Sequence, residues 1–92
     1  GEPHKPGFEQ MPDAGREPPS EALLGQRYVV FDGQSMLTRV FERKALLASN
    51  RIPGPSIIVE YSSTTVVPPF AEGVVDRYGN LVLAIDEDIL RN

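Results

Sequence analysis

The chain has 92 residues, no cysteine, one histidine and a formal net charge of −4, from nine Lys and Arg against 13 Asp and Glu. The missing cysteine excludes disulfides and sulfur-ligated metal centres, and the acidic balance argues against nucleic acid as a partner, because a phosphate backbone would be repelled. No apolar stretch approaches the ~20 residues of a membrane helix and no secretion signal opens the chain, so the sequence predicts a soluble, cytoplasmic protein without a membrane partner.

The first 21 residues differ in composition from the rest. They hold five prolines and only scattered apolar side chains, which is typical of a flexible segment. We therefore predict a linker or tail at 1–21 and a single β-rich domain at 22–92. Gly1 in place of an initiator Met favours a fragment or a processed chain.

The next part of the chain predicts two strands joined by a turn. The run RYVVF at 27–31 is β-branched and aromatic, and Asp32-Gly33 is a pair that readily takes positive φ. Residues 36–42 restore apolar character with imperfect alternation. This second strand is expected either to contain a bulge or to be buried on both faces.

One stretch of helix-forming residues follows. The sequence ERKALLAS at 42–49 predicts one or two helical turns, and Asn50 is a suitable residue to end them in the left-handed conformation. Residues 52–55, Ile-Pro-Gly-Pro, then break regular structure, so the chain is expected to turn there.

The last part of the chain predicts two strand pairs. Strands at 56–61 and 64–67 flank a Ser62-Ser63 bend, and strands at 74–77 and 81–85 flank a hairpin turn with Gly79 and Asn80 at positive φ. Asp86 is placed to begin a short helix. Together these elements predict a mainly β fold, a small antiparallel or mixed β-barrel or sandwich with one short helix and a disordered N-terminal tail.

A search of the sequence for chemistry finds weak candidates. The sole histidine, His4, lies in the predicted linker, so it cannot assemble a catalytic triad or a multi-histidine metal site. Glu60 and Asp76 are conceivable as a general acid and base, but a carboxylate on a strand is ordinarily its water-facing residue. The acidic residues at 86–88 fit a helix start better than a cation site.

Hydroxyl and aromatic side chains give equally weak signals. The hydroxyl-rich residues 62–65 could line a polar groove, although strand and bend preferences alone explain their order. Tyr61, Phe70 and Tyr78 could form a contact surface, but in so small a domain at least two of them are expected in the core.

Four runs in order carry a resemblance to a known family: RYVVFDG, TRVFERKAL, RIPGPSIIVEYSSTTVVPP and VDRYGNLVL. The chain resembles the carboxy-terminal domain of the hydantoinase/oxoprolinase family over about residues 27–85. It departs from the family pattern at Ser56, where Ala is usual, and at Phe70, where Gly is usual. We expect Gly73 to take over the role of the missing glycine.

The resemblance implies a β-rich terminal domain of an ATP-dependent enzyme that opens cyclic amides such as hydantoins and 5-oxoproline. It implies that ATP and Mg²⁺ are bound by an actin-like core elsewhere, with no cofactor, metal or catalytic residue in this chain. The implied partners are that ATPase core and, where there is one, a second enzyme subunit. The motif residues it marks as structural or interface candidates are Gly54, Pro55, Thr64, Thr65, Pro68, Pro69, Asp76, Gly79 and Asn80.

Two other interpretations stay open. The chain could be a free-standing β-barrel binding or interaction module that uses residues 62–70 as a contact loop. It could also be a small enzyme that uses Glu60 or Asp76.

Overall fold

The computed structural model describes residues 9–85. The strands β1 to β7 are Leu23–Phe31, Gln34–Glu42, Arg51–Pro53, Ser56–Val59, Thr64–Val67, Ala71–Val75 and Leu81–Ile85. Two single 3₁₀ turns, Ser20–Ala22 and Arg43–Ala45, are the helical elements of this part of the chain. Neither is long enough to span a membrane. His4 and the helix start predicted at Asp86 lie outside the described residues.

Two sheets build the domain, in the orders β1-β2-β4-β5 and β3-β6-β7. Neighbouring strands are antiparallel except β2 and β4, which run parallel over residues 39–42 and Ser56–Val59. Between these two strands the chain crosses to the second sheet as β3 and then returns. The sheets do not close on each other, so the prediction of a small mixed β fold is confirmed as a sandwich.

The core lies where the two sheets face each other. Residues contributed by alternate positions of the strands are at most 5 % exposed: Phe41, Ile58 and Val67 from the first sheet, and Ile52, Ala71 and Val75 from the second. Ala22 and Leu46 close the core from the connecting segments. Successive side chains of a strand point to opposite faces of its sheet, and these strand residues are the ones that point into the sandwich.

Two predicted hairpins are confirmed. Asp32 and Gly33 both take positive φ, 49° and 79°, in the two-residue turn between β1 and β2. Such a turn matches the right-handed twist of the flanking strands. In the β6–β7 turn Gly79 has φ 85°, as predicted, whereas Asn80 is not among the described residues with positive φ.

The predicted helix at 42–49 is wrong beyond its first turn. Only Arg43–Ala45 is helical, and Ser49 rather than Asn50 takes the left-handed conformation, with φ 78°. Asn50 is fully buried instead. Its side chain accepts a hydrogen bond from the Leu47 backbone at 2.8 Å, which holds an irregular loop in place of a second helical turn.

Two further expectations were corrected within the strands. Residues 52 and 53, from the segment 52–55 that was expected to be irregular, lie in the short strand β3, which pairs with β6. The irregularity of pairing falls at Leu23–Gly25 in β1 and not in β2. Of the two alternatives for β2, burial on both faces is confirmed at its end, because Thr38 and Phe41 point to opposite faces and both are buried.

The described part of the predicted linker contacts the domain. The backbone N–H of Ala14 donates to the Ala48 carbonyl at 3.0 Å, and the N–H of Arg51 donates to the Arg16 carbonyl at 2.8 Å. The amide of Asn50 donates to the Gly15 carbonyl at 2.8 Å. Composition did not reveal these contacts because they are made by backbone groups and by the side chain of the distant residue Asn50. The division into 1–21 and 22–92 stays a prediction.

Candidate functional site

The family-motif residues fall into separate places in the fold. One group, which we call the Gly–Pro joint, comprises Gly54, Pro55, Pro68 and Pro69 and lies beside the start of β6. The other, the aspartate turn, comprises residues 76–80 and follows the end of β6. The length of a five-residue strand, ~16 Å, separates them. The motif residues therefore do not converge on one site.

Gly54 is held against the backbone that leaves β5. A Cβ at this position would overlap the carbonyl oxygen of Pro68 and lie 2.9 Å from the carbonyl oxygen of Val67. The Gly54 N–H donates to the Ala71 carbonyl at 2.9 Å, which extends the pairing of β3 with β6 by one residue, while its Cα faces the backbone that leaves β5 in the other sheet. Only a residue without a side chain fits this approach.

The proline pair forms the other half of the joint. The N–H of Ala71 donates to the Pro68 carbonyl at 3.0 Å, which closes a β-turn with Pro69 at its second position. Phe70 follows without positive φ. The expectation that Gly73 replaces a missing turn glycine is wrong, because Gly73 is a buried residue inside β6 and the turn with Phe70 needs no glycine.

Ser56 also serves the joint. It is fully buried, and its hydroxyl donates to the Pro53 carbonyl at 2.7 Å. Where the family usually has Ala, this chain gains a hydrogen bond that ties β4 to the end of β3. Thr64 and Thr65 lie apart on β5, opposite Val59 and Ile58, with Thr64 exposed and Thr65 half-buried.

The aspartate turn is held by one side chain. Asp76 Oδ1 accepts hydrogen bonds from the N–H groups of Tyr78 and Asn80 at 2.9 and 2.8 Å, and Oδ2 accepts from Asn80 Nδ2 at 3.3 Å. The backbone of Asp76 also bonds Gly79 and Asn80. Both carboxylate oxygens are thus committed to the turn, as in an Asx turn.

These hydrogen bonds change the acidity of the carboxyl group. The backbone N–H of Asn80 is the main cause that lowers the pKa of Asp76 below its usual value, helped by the N–H of Tyr78. The pKa of Asp13 is lowered in the same way, mainly by the N–H of Gly15 and then by Ser49. A carboxyl with a lowered pKa is a poor proton acceptor near neutral pH.

Glu60, the other carboxylate considered for acid–base chemistry, lies in the bend between β4 and β5. Its side chain accepts a hydrogen bond from the Ser63 hydroxyl at 3.1 Å, and its N–H donates to the Ser63 carbonyl at 2.8 Å. Of the hydroxyls singled out in the sequence, that of Ser63 therefore helps to hold a local bend.

The aromatic residues contradict the expectation that at least two of them are core. Tyr61 is fully exposed, Tyr78 is 47 % exposed and Phe70 is 38 % exposed. The core is filled by other strand residues, together with Ala22 and Leu46 from connecting segments that the sequence did not point to. Large aromatic side chains on the surface of a small domain are typical of contact surfaces.

An open cavity of about 580 Å³ lies between the N-terminal segment, the second 3₁₀ turn and the aspartate turn. Leu46, Ala48 and Val75 give it an apolar lining. Arg43 and Lys44 add two cations and Glu60 adds one carboxylate, so the charged side chains of the lining leave a net positive charge. Arg43 is fixed there because it donates a hydrogen bond to the Gly79 carbonyl. Such a cavity suits an apolar group with an anionic end.

The part of the chain that the structure describes contains neither a cluster of metal-ligating side chains nor a helix long enough to hold phosphate at its N-terminus. Among residues 9–85 no three His, Asp or Glu side chains come together to hold a metal ion. Each helical element in that range has three residues, too short for the helix N-terminus that cradles a phosphate group.

Comparison with known proteins identifies the fold. Residues 2–84 match the family model described as the hydantoinase/oxoprolinase C-terminal domain. The chain belongs to the hydantoinase/oxoprolinase family. No match was found among curated proteins.

A solved structure supports this membership. The domain is similar to part of acetone carboxylase in its nucleotide-free form, an enzyme of ATP-dependent acetone carboxylation, with a TM-score of 0.78 and 26 % identity. The match covers 83 % of this chain and 11 % of that chain. The residues that match the family model include the Gly–Pro joint, the aspartate turn and the whole β1–β2 hairpin.

Proposed function

We propose that this hydantoinase/oxoprolinase C-terminal domain is a non-catalytic structural and interaction domain of a cytoplasmic, ATP-dependent enzyme subunit. The reaction class is the opening of a cyclic amide such as a hydantoin or 5-oxoproline. The domain packs on the ATPase core of the same polypeptide, which handles ATP and Mg²⁺, and a second subunit is a further partner where the enzyme has one.

The commitment of the motif residues to structure carries this proposal. Gly54 and Pro68 join the two sheets, and Asp76 uses both carboxylate oxygens within its own turn. Because these residues hold the backbone in place, we expect them to determine the shape of the domain and not to transfer protons or bind a ligand. The small share of the acetone carboxylase chain that the domain matches, 11 %, supports a role as one part of a larger protein.

Substitution of the two carboxylates in the full-length polypeptide tests the proposal. We expect Glu60→Gln and Asp76→Asn to keep kcat for ATP-dependent turnover within about twofold of the parent, since neither group contacts reactants. A loss of a hundredfold or more in kcat in a variant that stays folded at the assay temperature would assign catalysis to the domain, because general acid–base residues contribute about 10²–10⁴-fold.

The open cavity favours a second candidate function, a small-molecule binding module. Its apolar lining, next to Arg43 and Lys44, suits a small aromatic carboxylate. Titration of the 92-residue chain with benzoate, followed by amide chemical shifts, tests this function. Saturable shifts at Leu46 and Ala48 that are lost in Lys44→Gln would support it, and shifts that grow linearly with concentration everywhere would exclude it.

A further inference from the structure

The β1–β2 hairpin extends beyond the sandwich. β4 pairs with β2 only from Arg39 onward, so residues 27–38, here called the ribbon, have no third strand beside them. The ribbon is roughly 20 Å long, in a molecule whose longest extent is 54 Å. A two-stranded ribbon is at best marginally stable alone in water. It therefore matters which groups pack against its two faces.

One face of the ribbon is apolar and open. Tyr28 and Leu37 are direct cross-strand partners, and Val30 lies two residues beyond Tyr28 on the same side. Their exposed fractions are 73 %, 50 % and 67 %. On the opposite face Val29, Phe31 and Met36 are half-buried.

The open face continues the inner face of the sandwich. Leu37, Arg39 and Phe41 alternate along β2 and therefore point to the same side. Phe41 is 3 % exposed beneath the second sheet, and the Arg39 guanidinium lies over its ring at 5.1 Å. On the ribbon side of Arg39 the same row of side chains has no second sheet packed against it. This face of the ribbon is therefore exposed, whereas the second sheet covers it around Phe41.

The composition of the ribbon fits an interface. Of its twelve residues only Arg27 and Asp32 are charged, and six are apolar or aromatic. The buried centres of protein interfaces are depleted in charge and enriched in aromatic residues in the same way.

We infer that the face formed by Tyr28, Val30 and Leu37 docks onto the remainder of the polypeptide to which this domain belongs. The small area of the patch favours the same polypeptide over a separate molecule as the binding partner. Three side chains offer at most a few hundred Å², whereas a stable complex of separate molecules buries about 800 Å² on each partner. A domain tethered in the same chain needs less area because its effective concentration reaches the millimolar range.

This inference rests on the proposed function, and it adds the surface through which the domain packs on the core. The family match includes the ribbon, so the ribbon belongs to the shared domain and is not an appendage of this chain. In acetone carboxylase the matching region is 11 % of the chain. A domain of this fold can therefore be part of a much longer polypeptide.

Photo-crosslinking in the full-length polypeptide tests the inference. Tyr28 is replaced by the photoreactive residue p-benzoylphenylalanine, and Tyr61, the fully exposed tyrosine on the β4–β5 bend, is replaced in a matched control. We expect the probe at position 28 to label peptides N-terminal to this domain in the same chain, at least tenfold more than the probe at position 61. The product should keep the mass of one chain.

The other outcomes overturn the inference. A product of twice the chain mass would show that a second copy occupies the face, and a product with another subunit would show a subunit interface. Equal yields at positions 28 and 61 would show that nothing docks there. Each of these results leaves the carboxylate test of kcat unaffected, so failure of the docking surface and failure of the non-catalytic role are told apart.

A second pair of variants measures the strength of the contact. Tyr28→Ser combined with Leu37→Ser removes two exposed side chains, so the fold of the domain should survive. In the full-length polypeptide we expect proteolysis of the segment before the domain to become at least tenfold faster, and Tyr61→Ser to leave its rate unchanged. An unchanged rate in the double variant would contradict docking through this face.

Discussion

The two ends of β2 have similar side chains in different surroundings. At the sandwich end Phe41 is 3 % exposed and packs with Ile58 and Val67, whereas at the ribbon end Leu37 is half exposed and Tyr28 is 73 % exposed. The strand is continuous between them. What differs is the second sheet, which covers one end and not the other.

This difference separates two uses of apolar residues. Those at the sandwich end stabilise the domain itself, since their burial is complete within the chain. Those at the ribbon end contribute little to the isolated domain and are available for contact with other polypeptide. Substitutions at the two ends should therefore differ sharply in their effect on stability.

Truncation of a core residue should give the largest effect. Ile58 is 1 % exposed, so Ile58→Ala leaves a cavity between the sheets and should lower the free energy of unfolding of the chain by about 4 kcal/mol. Leu37→Ala removes a similar volume on the ribbon and should cost about 0.5 kcal/mol or less. Urea unfolding of both variants measures the difference. Equal losses would show that the ribbon is as much a part of the core as β4.

The Gly–Pro joint should be almost as sensitive. Gly54→Ala forces the backbone at Pro68 away and should lower the free energy of unfolding by about 3 kcal/mol. Gly73→Ala is a matched control in the same sandwich, because its Cβ would lie 3.5 Å or more from its neighbours and its φ is not positive. It should change stability by about 1 kcal/mol or less. If both variants unfolded at the same urea concentration, close approach at the joint would not be the reason for glycine.

One buried side-chain amide, that of Asn50, joins backbone hydrogen bonds in holding the N-terminal segment to the sandwich. The Asn50 side chain is fully buried and bonds Leu47, Gly15 and Glu17, so Asn50→Ala removes three hydrogen bonds and should cost about 2 kcal/mol. Amide hydrogen exchange should rise at Ala14 and Arg51, whose N–H groups pair this segment with the domain. Exchange unchanged at both positions would show that the segment is held without Asn50.

How far the sequence predicts this structure depends on the range of the interactions. The strand at 64–67, the Asp32-Gly33 turn and the 76–80 turn follow from local preference and were predicted at or near their observed positions. The strand β3 was missed because its three residues form only by pairing with β6, twenty residues away. The helix at 42–49 failed because the contacts of Asn50 with the N-terminal segment override local helix propensity.

The same limit applies to the functional residues. The sequence marked Gly54, Pro68 and Asp76 as important, but the roles of the first two depend on a contact between the β3–β4 connection and the end of β5 that no local pattern specifies. The exposed face of the ribbon was not predicted. RYVVF is the pattern of a buried strand as well as of an interface strand, and only the position of the second sheet distinguishes them.

The aspartate turn, which lies on the surface, should give the smallest effect and one that depends on pH. The lowered pKa of Asp76 means that its carboxylate stabilises the folded chain above the pKa of the unfolded state, ~3.9, and that this contribution disappears as the pH falls through the folded pKa. Asp76→Asn keeps one acceptor oxygen but removes the charge. We therefore expect it to lower the melting temperature slightly at pH 7, and to have no such effect once the pH has fallen below the folded-state pKa of Asp76.

Asp13 provides the control for this pH dependence, since its pKa is lowered by a separate set of hydrogen bonds at Gly15 and Ser49. The double variant Asp13→Asn, Asp76→Asn should have a melting temperature that changes less between pH 5 and pH 3 than either single variant. Curves of melting temperature against pH that run parallel for the parent and all three variants would show that neither carboxylate is stabilised by folding. The difference between the ribbon and the sandwich would be unaffected, because it depends on apolar burial and should persist at every pH at which the chain folds.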